Sequence, residues 1–155
     1  MNKVVLGKYV NTHGIKGEIR IKSRFPYKSK VFKINNEIII DNKTYIIKSY
    51  RVHKDYDMVT LAGIDSINMI PFPKNIKVYI DRDKYLTKKD YLDSDLIGFI
   101  VYNSKIEREV LDILFINDKK KLIQTKEGYI PFELVKNIDL ENKRILIEDV
   151  DGLWK

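Results

Sequence analysis

The chain has 155 residues, 44% apolar and 33% charged, a balance typical of a folded protein with one ordinary core or two small ones. The absence of cysteine excludes disulfides and thiolate metal sites, and two histidines are too few for an imidazole metal centre, so we expect no metal and no other cofactor. No segment reaches the roughly 18 apolar residues of a membrane span, and the first residues do not resemble a signal peptide. We therefore expect a cytoplasmic protein with no membrane partner.

The net charge of +7 is concentrated at the start of the chain. Residues 1–33 carry nine Lys or Arg and a single acid, Glu18, whereas the remainder is close to neutral. Phosphate attraction requires several cations within a Debye length of about 10 Å. A local excess of cations therefore indicates a polyanionic partner more strongly than a diffuse excess does. The pattern indicates a nucleic-acid-binding surface; a basic strand that is merely solvated explains it as well.

The first predicted element is a hairpin. Residues 4–10 are mostly apolar and predict a strand, and the segment 13–17, His-Gly-Ile-Lys-Gly, predicts a tight turn because glycine adopts positive φ readily. In residues 18–24 charged and apolar side chains alternate with a period of two, so one face of the second strand is basic. Three side chains on that face would lie about 6.6 Å apart, close to the phosphate spacing of an RNA strand. They are Arg20, Lys22 and Arg24.

The next part of the chain predicts four further short strands. They cover residues 37–40, 44–51, 57–62 and 75–80. Residues 29–36 are expected to connect the second strand to the third, and residues 65–70 to form the only helical turn of this half. Six short strands separated by turn residues, with little helix, predict a six-stranded antiparallel barrel over residues 1–82.

A second, smaller all-β unit is predicted after a linker. Residues 83–93 carry mixed charges with few apolar anchors, as linkers do, and residues 94–155 form the second unit. Its predicted strands cover 95–102, 109–115, 121–125 and 143–148, with a turn into 129–132, a short helical segment over 133–136 and Trp154 as a lid. The predicted fold is therefore all-β, with two small β-barrels.

The sequence contains no recognisable catalytic motif. Gly-x-Ser-x-Gly is absent, there is no cysteine nucleophile, and neither histidine stands at a recognised spacing from a carboxylate. His13 is expected to order the turn or to contact a ligand. We predict a protein without catalytic residues.

Four segments of the chain resemble the RimM family of bacterial ribosome maturation factors. Residues 7–21, Gly-Lys-Tyr-Val-Asn-Thr-His-Gly-Ile-Lys-Gly-Glu-Ile-Arg-Ile, resemble the opening segment of the family. Later segments follow in the same order and spacing: Arg51-Val52-His53-Lys54, Asp95-Leu96-Ile97-Gly98, and Ile130-Pro131-Phe132 with Val135, Ile138-Asp139 and Arg144-Ile145. The resemblance covers nearly the whole chain and implies a RimM-like barrel followed by a PRC-barrel-like domain.

The resemblance implies a non-enzymatic assembly factor. Such a factor binds the immature small ribosomal subunit, contacts small-subunit ribosomal protein number nineteen, and assists folding and processing of small-subunit rRNA in the head region. The candidate residues for binding RNA or the ribosome are His13, Gly14, Lys16, Gly17, Arg20, Lys22, Arg24, Arg51, His53 and Lys54. Tyr91 and Asp95 are the candidates for binding the ribosomal protein. The chain departs from the family at Leu92, where a second aromatic ring is usual.

Two other functions stay open at the level of sequence. One is a general RNA-binding barrel of the translation-factor type, which would bind RNA without any ribosomal protein. The other is an RNA-processing enzyme with a site that the sequence does not reveal. We expect the protein to be a monomer.

Overall fold

The computed structural model describes residues 1–150, and the chain divides into two compact units, Met1–Thr87 and Lys88–Lys155. Strands dominate both units, so the all-β prediction is confirmed. Of the helices in residues 1–150, none combines the length and the apolar composition that crossing a membrane requires.

The first unit is a closed six-stranded barrel in the order β1-β2-β5-β4-β3-β6, with every pair antiparallel. Its strands are β1 (Lys3–His13), β2 (Glu18–Lys22), β3 (Glu37–Ile40), β4 (Lys43–His53), β5 (Tyr56–Leu61) and β6 (Lys77–Asp81). Alternate residues point into the barrel, and the fully buried isoleucines are Ile19, Ile21, Ile38, Ile40, Ile47 and Ile80. The side chains between these buried ones point out of the barrel, and this outer face is the one that a ligand can reach.

Bulges bend the two longest strands of the barrel. The register of β1 against β2 shifts between Tyr9 and Asn11, and that of β4 against β5 shifts between Ile47 and Ser49. A bulge increases the local twist and bends its strand. Both strands continue past the bulge and end in a histidine, so the curved ends present His13 and His53.

The first unit contains more helix than the sequence predicts. A short helix α1 (Lys28–Val31) lies largely within the predicted connection 29–36, and α2 (Arg82–Tyr85) lies largely within the predicted linker 83–93. The 3₁₀ turn Ile67–Met69 is therefore not the only helical turn. Sequence reasoning missed both helices because four residues are too few to show an apolar periodicity.

The second unit builds its core from two sheets, ordered β11-β10-β9 and β12-β13-β7-β8. Its strands are β7 (Ile100–Tyr102), β8 (Glu107–Glu109), β9 (Asp112–Asn117), β10 (Lys120–Thr125), β11 (Gly128–Pro131), β12 (Val135–Asp139) and β13 (Arg144–Ile147). Strands β13 and β7 are parallel. Both sheets contribute to one buried cluster: Leu96, Phe99, Val101, Val110, Ile123, Ile130, Ile145 and Ile147.

The predicted limits of two strands in the second unit are wrong. The predicted strand 95–102 begins only at Ile100, because Asp93–Leu96 forms a 3₁₀ turn and Gly98 follows with φ +90°. The predicted strand 109–115 is split into β8 and β9, which belong to different sheets. The break falls at residues 110–111, where one backbone N–H donates to Phe99 and the next donates to Gln124.

The end of the second unit also differs from prediction. The helical segment expected over 133–136 is a 3₁₀ turn at Phe132–Leu134, and strand β12 begins directly after it. The prediction for Trp154 lies outside the described residues.

Candidate nucleic-acid interface

The candidate site is a surface formed by β1, β2, β5 and β4, which we call the histidine–arginine surface. Its members are His13, Glu18, Arg20, Lys22, Arg51, His53 and Tyr56. Directly paired residues of neighbouring strands share a face of the sheet, and the pairings place Asn11, Arg20, Met58 and Arg51 in one row. Met58 has no exposed surface. Arg20 and Arg51 are its neighbours on the two adjacent strands, so an apolar, buried side chain lies between two cations in this row.

Arg20 is held in place by uncharged partners. Its Nη1 donates to Oδ1 of Asn11 at 3.2 Å, and its Nη2 lies 2.7 Å from Nδ1 of His13. Because a guanidinium can only donate, Nδ1 of His13 accepts and the ring carries its proton on Nε2. The Nε of Arg20 is shielded from solvent and has no partner. Within residues 1–150 no carboxylate pairs with Arg20, so its positive charge is not neutralised locally.

Arg51 is in the opposite situation. Its Nε donates to Glu18 Oε2 at 2.9 Å and its Nη2 to Oε1 at 2.7 Å, a bidentate ion pair. The hydrogen bonds and charge of Arg51 lower the pKa of Glu18 despite its partial burial. The only acid among the first 33 residues is thus ionised and already occupied by one arginine.

The two histidines of the chain meet on this surface. Their ring centroids are 5.5 Å apart, with the planes tilted by 47°. Burial lowers the pKa of His53, and the positive charges of Arg51, Lys54 and Arg20 lower it further. His53 therefore stands in a region of positive potential, as an anion-binding surface requires.

Tyr56 is the member of the surface that sequence reasoning missed. The guanidinium carbon of Arg20 lies 5.7 Å from the centroid of its ring, and Nζ of Lys22 lies 5.5 Å from it. An aromatic ring flanked by cations is a common platform for stacking an RNA base. In the sequence, only its position two residues after the basic segment 51–54 suggested a role in binding. The pairing of Tyr56 with His53 across β4 and β5 shows that it lies on the same surface.

The turn between β1 and β2 is fixed by packing. Gly14 and Gly17 have φ of +71° and +84°, and a Cβ on Gly17 would lie 3.1 Å from a side-chain carbon of Ile64. The carbonyl of Ile15 accepts the N–H of Ile67 at 3.0 Å. This packing leaves the side chain of Lys16 exposed in the turn, next to the histidine–arginine surface.

Two other candidate residues lie at the margins. Strand β2 ends at Lys22, so Arg24 follows the strand and is not the third member of its alternation, contrary to the sequence prediction. Lys54 is exposed in the turn after β4, with φ +56°. Neither is part of the row of paired residues, and both add positive charge beside it.

The candidate residues of the second unit have structural contacts. Tyr91 is half-buried and packs against the core of the unit. The carboxylate of Asp95 accepts the N–H of Leu92 at 2.8 Å and so caps the turn Asp93–Leu96. Nearby, Lys121 bonds to Asp93 at 3.0 Å and lies 4.0 Å from the ring centroid of Phe132.

The arrangement supports binding of an anion. Over residues 1–150, no three His, Asp or Glu side chains converge as metal ligands would. His13 faces Arg20, whereas a general base is normally oriented by an acceptor such as a carboxylate. Cations, ring N–H donors and an aromatic face are the groups that recognise nucleic acid.

Comparison with known proteins places the chain in a family. The family profile described as the RimM N-terminal domain matches residues 4–85. Ribosome maturation factor RimM of Staphylococcus aureus strain bovine RF122 is 35% identical over 165 aligned residues, which cover 97% of this chain and 98% of the relative. The protein of the same name in strain MRSA252 is 34% identical over the same shares of both chains.

Two solved structures of RimM proteins are also similar. One, a 16S ribosomal RNA processing protein RimM of Pseudomonas aeruginosa, has a TM-score of 0.46 and 19% identity and covers 96% of this chain and 98% of its own. The N-terminal domain of RimM from Thermus thermophilus has a TM-score of 0.48 and 16% identity, over 56% of this chain and 98% of its own. The assignment rests on the profile and on the identity to relatives over nearly their full length. The chain belongs to the RimM family of ribosome maturation factors.

Proposed function

We propose that this chain is a non-enzymatic maturation factor that binds the immature small ribosomal subunit and assists folding and processing of its rRNA in the head region. It acts as a cytoplasmic monomer. The observation that carries the proposal is the histidine–arginine surface, which lies wholly within the residues 4–85 matched by the family profile and contains an arginine without a counter-charge. By binding one folded form of the rRNA more tightly than its alternatives, such a surface shifts a population without chemistry.

The charge of the two units supports a division of labour between them. Residues 1–87 contain 17 Lys and Arg against eight Asp and Glu, whereas residues 88–155 contain 12 against 14. The first unit is therefore suited to rRNA. The second is suited to a basic protein, since ribosomal proteins are themselves rich in Lys and Arg, and we assign to it small-subunit ribosomal protein number nineteen.

The candidate residues take different parts in this proposal. Exposed cations approach the phosphate backbone, while Arg20, Arg51 and the two histidines form the ordered centre of the surface. Gly14 and Gly17 shape the turn beside it. On the second unit, Tyr91 and Asp95 belong to the segment that contacts the ribosomal protein, with Tyr91 supplying the aromatic anchor common at interface centres. The exposed cations are Lys16, Lys22, Arg24 and Lys54.

A salt series with charge variants tests the role of the basic face. Lys22→Gln removes an exposed cation from β2 without disturbing the hydrogen bonds of Arg20. If Lys22 neutralises a phosphate, the slope of log affinity for small subunits against log salt should decrease in magnitude by about one. The double change Arg20→Glu with Lys22→Glu should weaken the association further and flatten its salt dependence.

The matched control is Lys43→Gln, which removes an exposed cation from the opposite end of β4. It should leave the slope unchanged. Equal slopes for the Lys22 and Lys43 variants, with both proteins folded, would mean that the association depends on overall charge and that the proposed face is wrong.

A further inference from the structure

We propose that the histidine–arginine surface holds a phosphodiester group of RNA against His13 and His53, beside Arg20, and that this binding takes up a proton. The proposal rests on the proposed function, because it names the chemical group by which the first unit grips rRNA. Three features of the surface support it.

The first feature is the unsatisfied charge of Arg20. Its hydrogen-bond partners, the amide oxygen of Asn11 and a ring nitrogen of His13, carry no negative charge. The carboxylate of Glu18 has both oxygens engaged by Arg51. A partly buried cation without a counter-ion is costly, and an incoming phosphate removes that cost. Arginine and phosphate are well matched for such a contact.

The second feature is the tautomer of His13. Because Arg20 donates to Nδ1, the neutral ring keeps its N–H at Nε2. That N–H is a donor whose ring orientation is set by Arg20, and phosphate oxygens accept such donors. The ring of His53, 5.5 Å away between centroids, brings a second pair of nitrogens to the same place.

The third feature is the electrostatic environment of His53. The groups that face it come from every neighbouring strand: Arg51 and Lys54 at the end of β4, Tyr56 on β5, Glu18 and Arg20 on β2, and His13 on β1. Glu18 is paired with Arg51, so cations dominate. Together with burial they lower the pKa of His53, and a bound phosphate would oppose this effect. The complex therefore binds a proton more readily than the free protein, and affinity for RNA rises as pH falls.

The chain offers a clean test because His13 and His53 are its only histidines. Proton and nitrogen NMR of the full-length protein would follow both rings through a pH titration, alone and with hexauridylate RNA or dimethyl phosphate, at constant ionic strength set with sodium chloride. We expect hexauridylate to raise the titration midpoint of His53 by about one pH unit, so that binding tightens as pH falls through the two midpoints, by at most about tenfold in all. Dimethyl phosphate, a phosphodiester without base or ribose, should act in the same direction at higher concentration.

Variants separate this site from general attraction between the barrel and RNA. His53→Asn should abolish the tightening of hexauridylate binding between pH 8 and acid pH, whatever its affinity at pH 8, since the side chain no longer titrates. Arg20→Gln should weaken binding at every pH. Lys43→Gln removes a cation on another part of β4 and should retain the full pH dependence.

The possible failures are distinguishable. If hexauridylate and small subunits bind while the His53 midpoint stays fixed and the affinity is independent of pH, the phosphodiester site is overturned and the proposed function stands. If dimethyl phosphate shifts His53 but hexauridylate does not, the site takes small phosphate esters and its assignment to RNA is overturned. If neither probe shifts His53 and small subunits do not bind, both proposals fall.

Discussion

Arg20 and Arg51 lie in one row of side chains but contribute differently to the charge of the surface. Arg51 forms a bidentate pair with Glu18 and is largely neutralised, whereas Arg20 bonds only to Asn11 and His13. In the sequence both are basic residues next to apolar ones. The positive potential of the surface therefore depends on which arginine forms the ion pair with Glu18, and the register of the strands determines this.

A second group of polar residues in the barrel has a structural role. The carboxylate of Asp57 is 2% exposed and accepts the hydroxyl of Tyr50 at 2.7 Å, and Nζ of Lys28 lies 2.7 Å from its other oxygen. Burial, together with the hydrogen bond to Asp57, raises the pKa of Tyr50. Phe32 stacks on Tyr50 with ring centroids 5.1 Å apart. These contacts attach α1 and the residue after it to the barrel wall.

We predict that Tyr50→Phe lowers the free energy of unfolding by about 1–2 kcal/mol, because one oxygen of the buried Asp57 loses its hydrogen bond. Urea denaturation followed by circular dichroism measures the change. Tyr45→Phe is the matched control, since Tyr45 is also half-buried but its hydroxyl has no hydrogen bond within the described chain. Equal losses for the two variants would show that Asp57 does not depend on Tyr50.

Among the elements, short apolar runs bounded by polar or turn residues were predictable, and strands defined by distant partners were not. Strands β3, β10 and β13 lie within two residues of their predicted limits because each contains adjacent apolar residues, rich in isoleucine, between polar residues. The apolar segment 95–102 looked like a buried strand, but Asp95 caps a 3₁₀ turn at its start. The split of 109–115 between two sheets follows from hydrogen bonds to Phe99 and Gln124, which no local pattern reveals.

The same limit applies to the candidate site. The basic strand, the glycine turn and the segment 51–54 were recognisable from residue types and from the family resemblance. The bulges in β1 and β4, and the pairing of β5 with both β2 and β4, decide which of these side chains meet. Tyr56 and Met58 enter the site only through that pairing.

The turn between β1 and β2 leads to a prediction about its two glycines. An alanine at either position is forced into positive φ, at a cost of about 1–2 kcal/mol. At Gly17 the added Cβ also crowds Ile64 and Ser66, whereas at Gly14 nothing lies within 4 Å. Gly17→Ala should therefore lower the free energy of unfolding more than Gly14→Ala does, by at least about 1 kcal/mol in urea denaturation. A larger loss for Gly14→Ala would contradict the packing of the turn on residues 64–66.

For the whole molecule, the division of charge between the units supports the proposed partners, and Tyr91 tests that proposal. We expect Tyr91→Ala to weaken binding of purified ribosomal protein nineteen about tenfold or more, as loss of an aromatic anchor does, and to leave binding of hexauridylate unchanged. Surface-immobilised full-length protein measures both affinities.

Tyr91 also packs on the core of the second unit, so its loss affects stability. Leu92→Ala is the control for this effect, because it truncates the neighbouring half-buried side chain. Urea denaturation should be recorded for both variants. If binding of the ribosomal protein falls equally in both, or not at all in Tyr91→Ala, the assignment of the second unit to this partner is wrong.

Co-sedimentation of the full-length protein with immature small-subunit particles, free mature small subunits and whole ribosomes across a salt series shows whether the chain acts as a maturation factor. A maturation factor should sediment with the immature or free small subunit, retain that preference as salt rises, and bind whole ribosomes least. Equal binding to all three particles, lost in parallel with increasing salt, would contradict the account and reduce the basic barrel to general electrostatic attraction for RNA.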